Sequence, residues 1–190
     1  MLKGLILKNR SYRRFHPGTA VQLNTLKELV NLARMCPSAA NKQPLKFILS
    51  NEPEKNALIF SCTSWAGYLK EWKGPAEGER PSAYIIILCD TEISESADTD
   101  CGIAAQSILL GAVEIGLGGC MLGALQRETL VKLLEIPSRY RVLLAIALGK
   151  PKEKVVIEDT VKDNNIKYWR DNTDVHHVPK RPLEDLILDL

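Results

Sequence analysis

The chain has 190 residues, 45% of them hydrophobic and 25% charged, with a formal net charge of +2. That length and composition suit one globular domain with a sizeable core, and the near-balance of charge argues against nucleic acid or an anionic membrane surface as partner. No apolar run approaches the ~20 residues of a membrane span, and the one at the N-terminus is too short for a signal peptide, so a cytoplasmic protein is expected.

Helical spacing of Leu2, Leu5 and Ile6 predicts a short helix to about Asn9. It runs into Arg10-Ser11-Tyr12-Arg13-Arg14-Phe15, where three arginines and a serine fall within five residues, and His16-Pro17-Gly18 ends any helix. Arginine forks suit phosphate oxygens. The cluster therefore reads either as a solvated basic turn or as the holder of a dianionic group.

Gln22 to about Arg34 is amphipathic, with Leu23, Leu26, Leu29, Val30 and Ala33 at helical spacing. Pro37-Ser38-Ala39-Ala40-Asn41-Lys42-Gln43-Pro44 follows as a polar loop with a proline at each end. Leu45 to Ser50 is strand-like, and residues 53–61 predict a helix opening on Pro53. Trp65, Tyr68, Leu69 and Trp72 fit one face of a short helix, and Lys73 to Ser82 is a loop by composition. These aromatics fit a satellite cluster or a pocket wall.

Ala83 to Cys89 is a continuous apolar run rich in β-branched residues, expected as a central strand covered on both faces. Asp98 to Gly116 is a helix that is apolar nearly all round. Burying it on most sides asks for a second subunit, so a dimer is expected. Gly116-Leu117-Gly118 suits a helix C-cap and tight turn rather than a dinucleotide loop, since a helix precedes it. Gly123 is left as a place where backbone could approach a ligand. Arg127 to Leu134 reads as a short helix, and Tyr140 to Leu148 as another buried strand.

From Pro151 to Leu190 the chain is polar, with few apolar anchors: an arm that flaps or wraps around something. Pro182 with acids behind it predicts a helix start, and His176 and His177 read as surface residues. The five cysteines (Cys36, Cys62, Cys89, Cys101 and Cys120) are widely spaced, with no zinc pattern. They are expected as reduced, mostly buried thiols, and no metal site is expected.

Four of these pieces, in this order, resemble the nitroreductase family of FMN-dependent oxidoreductases: Arg10 to Phe15, Pro37 to Pro44, the buried helix entering Gly116-Leu117-Gly118, and Val178-Pro179-Lys180-Arg181-Pro182-Leu183. The resemblance implies an α+β fold, with a mixed, largely antiparallel sheet flanked by helices. It implies an intertwined homodimer with FMN at the subunit interface, in which residues 1–190 form one FMN-binding domain and the arm 151–190 packs on the partner.

The same resemblance implies that Arg10, Ser11 and Arg13 bind the FMN phosphate and ribityl chain, with Arg14 left open. Arg181 joins the phosphate, and Lys180 is a weaker candidate. Ser38, Asn41 and Gln43 contact the flavin from the other subunit, and Met121, Leu122 and Gly123 lie beside its ring. The chemistry falls on flavin N5, so no catalytic side chain is expected. NADH or NADPH is the implied donor, and nitroaromatics, quinones or similar electron-poor small molecules are the acceptors. The alternatives are a non-catalytic flavin-binding dimer for sensing or storage, and a specialised relative such as a reductive dehalogenase-like or flavin-consuming enzyme.

Overall fold

The computed structural model describes residues 1–159 and 165–189. Its elements are helices α1 (Leu2–Lys8), α2 (Leu23–Arg34), α3 (Pro53–Ser61), α4 (Asp98–Glu114) and α5 (Arg127–Leu133), and strands β1 (Leu45–Ser50), β2 (Ala83–Asp90), β3 (Gly118–Leu122), β4 (Tyr140–Gly149), β5 (Val155–Glu158), β6 (Trp169–Arg170) and β7 (His176–Pro179).

Every residue of β2 is buried, as its unbroken apolar run predicts. It lies between β1 and β4 in a four-stranded antiparallel sheet of order β1-β2-β4-β3. Side chains alternate along a strand, so β2 feeds two cores at once. Ile85 and Ile87 meet Leu26 and Leu29 of α2 and Ala105 and Ile108 of α4. Tyr84, Ile86 and Leu88 face the opposite way, toward Ile59 of α3, Leu130 of α5 and Trp65.

Helix α4 buries Ala104, Ala105, Ile108, Leu109 and Ala112. Ile103, Leu110 and Val113 are only half-buried and Ile115 is exposed. Helix α1, which packs beside α4, buries nothing and leaves Leu2, Ile6 and Leu7 open. The all-round apolar character of α4 is thus only partly satisfied within one chain. Its end follows expectation: Gly116 takes φ +77°, and the Leu117 N–H closes on the Ala112 carbonyl at 2.8 Å.

Three expectations are corrected. The segment holding Trp65, Tyr68 and Trp72 is not helical. Thr63 bridges Leu125, Ser64 N–H donates to the Ala124 carbonyl and Ala66 sits at φ +42°, so its backbone is committed to extended pairing and a turn. In the tail, Val178 and Pro179 belong to β7, and Pro182 opens only one 3₁₀ turn, Leu183–Asp185. The tail forms a small sheet of order β5-β7-β6, with β5 and β7 parallel. Finally, His176 is not on the surface: it is 1% exposed. Among the described residues, Cys62, Cys89, Cys101 and Cys120 are buried and all five thiols are free. No helix among them is long and apolar enough to cross a membrane.

Candidate anion-binding site

After α1 the chain turns extended at Asn9 and runs beside β3. Ser11 bridges Gly119, and the Tyr12 N–H donates to the Gly119 carbonyl at 2.9 Å. This approach depends on missing side chains in β3. A Cβ on Gly118 would lie 2.5 Å from the Tyr12 ring, and one on Gly119 would lie 2.3 Å from the Ala147 carbonyl oxygen. Phe15, fully buried, fixes the far end through a bridge to Pro151.

An extended segment sends neighbouring side chains to opposite sides. Arg13 and Arg14 therefore part company. Arg14 forms a two-pronged ion pair with Glu79, at 2.7 and 2.8 Å, and also reaches Asp174 at 3.2 Å. Lys152 joins Glu79 at 2.7 Å. Bonding to Arg14 holds the Glu79 carboxyl down at about 2. Arg14 is occupied as a structural tie.

Arg13 instead faces a cavity of about 290 Å³ lined by Asn9, Arg10, Ser11, Arg13, Tyr168, His176, Val178 and Lys180. Three cations line it, and among the described residues no carboxylate does. Arg10 turns back to donate to the Ile6 carbonyl at 2.8 Å, and its Nε is buried without a partner among the described residues. Arg13 Nη1 donates to the Ser11 carbonyl at 3.2 Å and lies 3.3 Å from His176 Nε2. Its guanidinium sits 5.0 Å from the Tyr168 ring centre, within cation–π range.

Behind the cavity, the buried carboxylate of Glu153 accepts from the Arg13 backbone N–H and from Arg170 Nη2 at 3.1 Å. Arg170 in turn covers Trp72, and Tyr168 packs on Tyr68 with ring centres 4.8 Å apart. The aromatic loop and the tail thus brace the same wall. Burial, with Arg13 and Arg170 adding repulsion, drops the His176 pKa to about 4, so its imidazole is neutral at pH 7.

The remaining candidates lie elsewhere. Ser38 Oγ donates to Asp100 Oδ2 at 2.5 Å, and Ala39 N–H donates to the other carboxylate oxygen at 3.1 Å. The Gln43 N–H returns to Ser38 Oγ at 2.9 Å, and Gln43 Nε2 donates to the Asn41 carbonyl at 3.1 Å. Ala40, Asn41 and Gln43 all have φ near +50°. This pinned, exposed loop shares no wall with the arginine cavity in the chain. Met121 is exposed on β3, two residues beyond the Ser11 bridge, while Leu122 is core. Gly123 is exposed, and a Cβ there would meet nothing within 4 Å. Lys180 reaches the cavity, whereas the neighbouring Arg181 is exposed outside its lining.

A family model described as the nitroreductase family matches residues 6–79 and 86–150. The chain belongs to the nitroreductase family. Membership places it among NAD(P)H-dependent oxidoreductases. It is 28% identical over 137 residues to an Archaeoglobus fulgidus protein provisionally named NADH dehydrogenase/NAD(P)H nitroreductase, covering 68% of this chain and 74% of that one. It is 27% identical over 168 residues to the FMN reductase (NADPH) of Bacillus subtilis, covering 77% and 64%. An FMN-dependent nitroreductase from Clostridium difficile shares the fold, with a TM-score of 0.67 at 24% identity over 86% of this chain and 93% of that one.

The cavity of this nitroreductase suits a phosphate monoester. Among the described residues its charges are unopposed at the lining, and the buried Arg10 Nε has no partner. Reading the sequence missed Tyr168, His176, Glu153 and Asp100. Each acts across a long separation, and only the neighbouring Lys180-Arg181 pair hinted that the tail returns to the N-terminal segment.

Proposed function

We propose that this nitroreductase binds FMN with its phosphate in the Arg10, Arg13 and Lys180 cavity, and passes reducing equivalents from NADH or NADPH to electron-poor acceptors such as nitroaromatics or quinones. The observation that carries the reading is that three cations, and among the described residues no carboxylate, line one cavity. Bound FMN would supply hydride acceptance and donation at its N5. The chain's own task is to hold and orient it. Arg10, Arg13 and Lys180 neutralise the phosphate through charge-assisted hydrogen bonds. Ser11 adds a hydroxyl beside them, and Arg181 flanks the phosphate from outside. Met121 on β3 is open to lie against a flat ring, with Leu122 fixing the strand beneath it and Gly123 leaving the rim clear.

The protein acts as a homodimer in this reading, with each flavin at the subunit interface. Support comes from the uncovered apolar residues of α1 and Ile115, and from the exposed Leu183, Leu186, Ile187 and Leu188 at the end of the tail. Ser38, Asn41 and Gln43 then reach the partner's flavin from a loop already locked by Asp100.

Adding FMN to flavin-free protein should give a yellow complex that NADH or NADPH bleaches under anaerobic conditions. Protein that stays colourless after FMN is added and separated from excess would overturn the proposal. A yellow complex that neither nucleotide bleaches would leave the binding and overturn the oxidoreductase reading.

A further inference from the structure

His176 lies outside every family pattern picked out in the sequence, yet it is one of the largest fully buried side chains. It lines the anion cavity together with Arg13 and Lys180. Strand β7 carries it, and β7 is held by parallel pairing with β5 and by the His176 N–H, which donates to the Lys154 carbonyl at 2.9 Å. Tyr168 packs against one side of the imidazole, with ring centres 5.2 Å apart.

Among the described residues, Arg13 has no carboxylate partner for its guanidinium. Its side chain meets the Ser11 carbonyl, the Tyr168 face and His176 Nε2, with the Cys120 thiol also beside it. An arginine has only donors, so an imidazole nitrogen facing it must be an acceptor. The ring must then be neutral, with its proton on Nδ1. Burial among Arg13, Arg170 and His177 keeps it neutral at pH 7. Nδ1 itself is buried and has no partner among the described residues. Among the described residues, the ring's one polar contact is therefore with Arg13, and that contact fixes the tautomer.

On the reading that the cavity holds the FMN phosphate, we infer that His176 is a positioning residue: its neutral Nε2 accepts from Arg13 Nη1 and, with Tyr168, aims the guanidinium at the phosphate. It acts through Arg13 and not on the flavin ring. Its loss should therefore weaken binding of FMN and leave binding of riboflavin, which has no phosphate, unchanged.

Affinities of flavin-free protein for FMN and riboflavin, read by flavin fluorescence, provide the test. The native protein should prefer FMN. His176→Phe, which keeps the ring and removes the acceptor, should lose about ten-fold in FMN affinity with riboflavin unmoved. His176→Gln, whose amide oxygen can accept, should recover most of that loss. A merely structural role would lower both affinities together and gain nothing from glutamine. FMN affinity unchanged in His176→Phe, with the native preference intact, would overturn the inference alone. A native protein that binds both flavins equally would overturn the phosphate reading and this inference with it. Nitrogen NMR of the native protein needs no variant: a proton on Nδ1 of His176 is expected, and a proton on Nε2 would refute the assignment.

Discussion

The Tyr12 backbone N–H donates to the Gly119 carbonyl at 2.9 Å, and this bond sets the arginine segment along the edge of the main sheet. The docking needs no side chain at 118, where a Cβ would lie 2.5 Å from the Tyr12 ring, and the strand beneath needs none at 119, where a Cβ would press to 2.3 Å from the Ala147 carbonyl oxygen. A backbone atom cannot swing aside as a side-chain tip can.

Gly119→Ala should therefore destabilise the protein by on the order of 3 kcal/mol, the upper range for overpacking a filled site. Denaturant unfolding measures it. Because the strain falls where Ser11 and Tyr12 dock, FMN affinity should drop as well.

The two adjacent arginines should fail in different ways. Arg13→Ala removes a cation from the cavity and should weaken FMN binding by about 10- to 100-fold, with the melting temperature little changed. Arg14→Ala breaks the pair with Glu79 and strips Asp174 and Glu79 of a partner. It should cost on the order of 2 kcal/mol of stability, while FMN affinity stays near native. Thermal unfolding and flavin titration on both variants separate the two outcomes.

Acid should act on the tail. His176 takes up a proton in the unfolded chain near its ordinary 6.5, but in the fold only at about 4. Between these values the unfolded state binds more protons, so stability falls as pH drops through that window. His177 works in the opposite sense. Glu158, at 2.5 Å, and then Asp171 raise its pKa, so it adds stability below its ordinary value and loses it as pH rises through the folded one. Glu79, held at about 2, loses its contribution only below its ordinary 4.5. Unfolding free energy against pH should therefore slope less steeply between 6.5 and 4 in His176→Phe than in the native protein.

The Ser38 loop stores strain that Asp100 offsets. Ala40 holds φ +50°, which an L side chain resists. Ala40→Gly should be neutral or stabilising, by on the order of 1 kcal/mol. Asp100→Ala removes the acceptor for both Ser38 Oγ and the Ala39 N–H. It should speed proteolytic cleavage within 38–43, as limited digestion would reveal.

Strands β2 and β4 were legible as short apolar runs bounded by turn residues, helix α2 by its periodicity, α3 by Pro53 at its start and α4 by an apolar stretch too long for a strand. The Trp65 to Trp72 segment misled: its helical spacing is real, but Thr63 and Ser64 already pair with the 124–125 turn. Half of the candidate site was legible in the arginine cluster. The other half, Tyr168 and His176, was not, since tail polarity says nothing about where a strand returns. The division between Arg13 and Arg14 could have been read from strand alternation, had the segment been recognised as extended.

In the proposed function the Arg10, Arg13 and Lys180 cavity holds the FMN phosphate. The most direct measurement compares the affinity of native, flavin-free protein for FMN and for riboflavin at one ionic strength. Charge-assisted contacts from two or three cations should make FMN bind at least about 100-fold more tightly. Equal affinity for the two flavins would contradict the account.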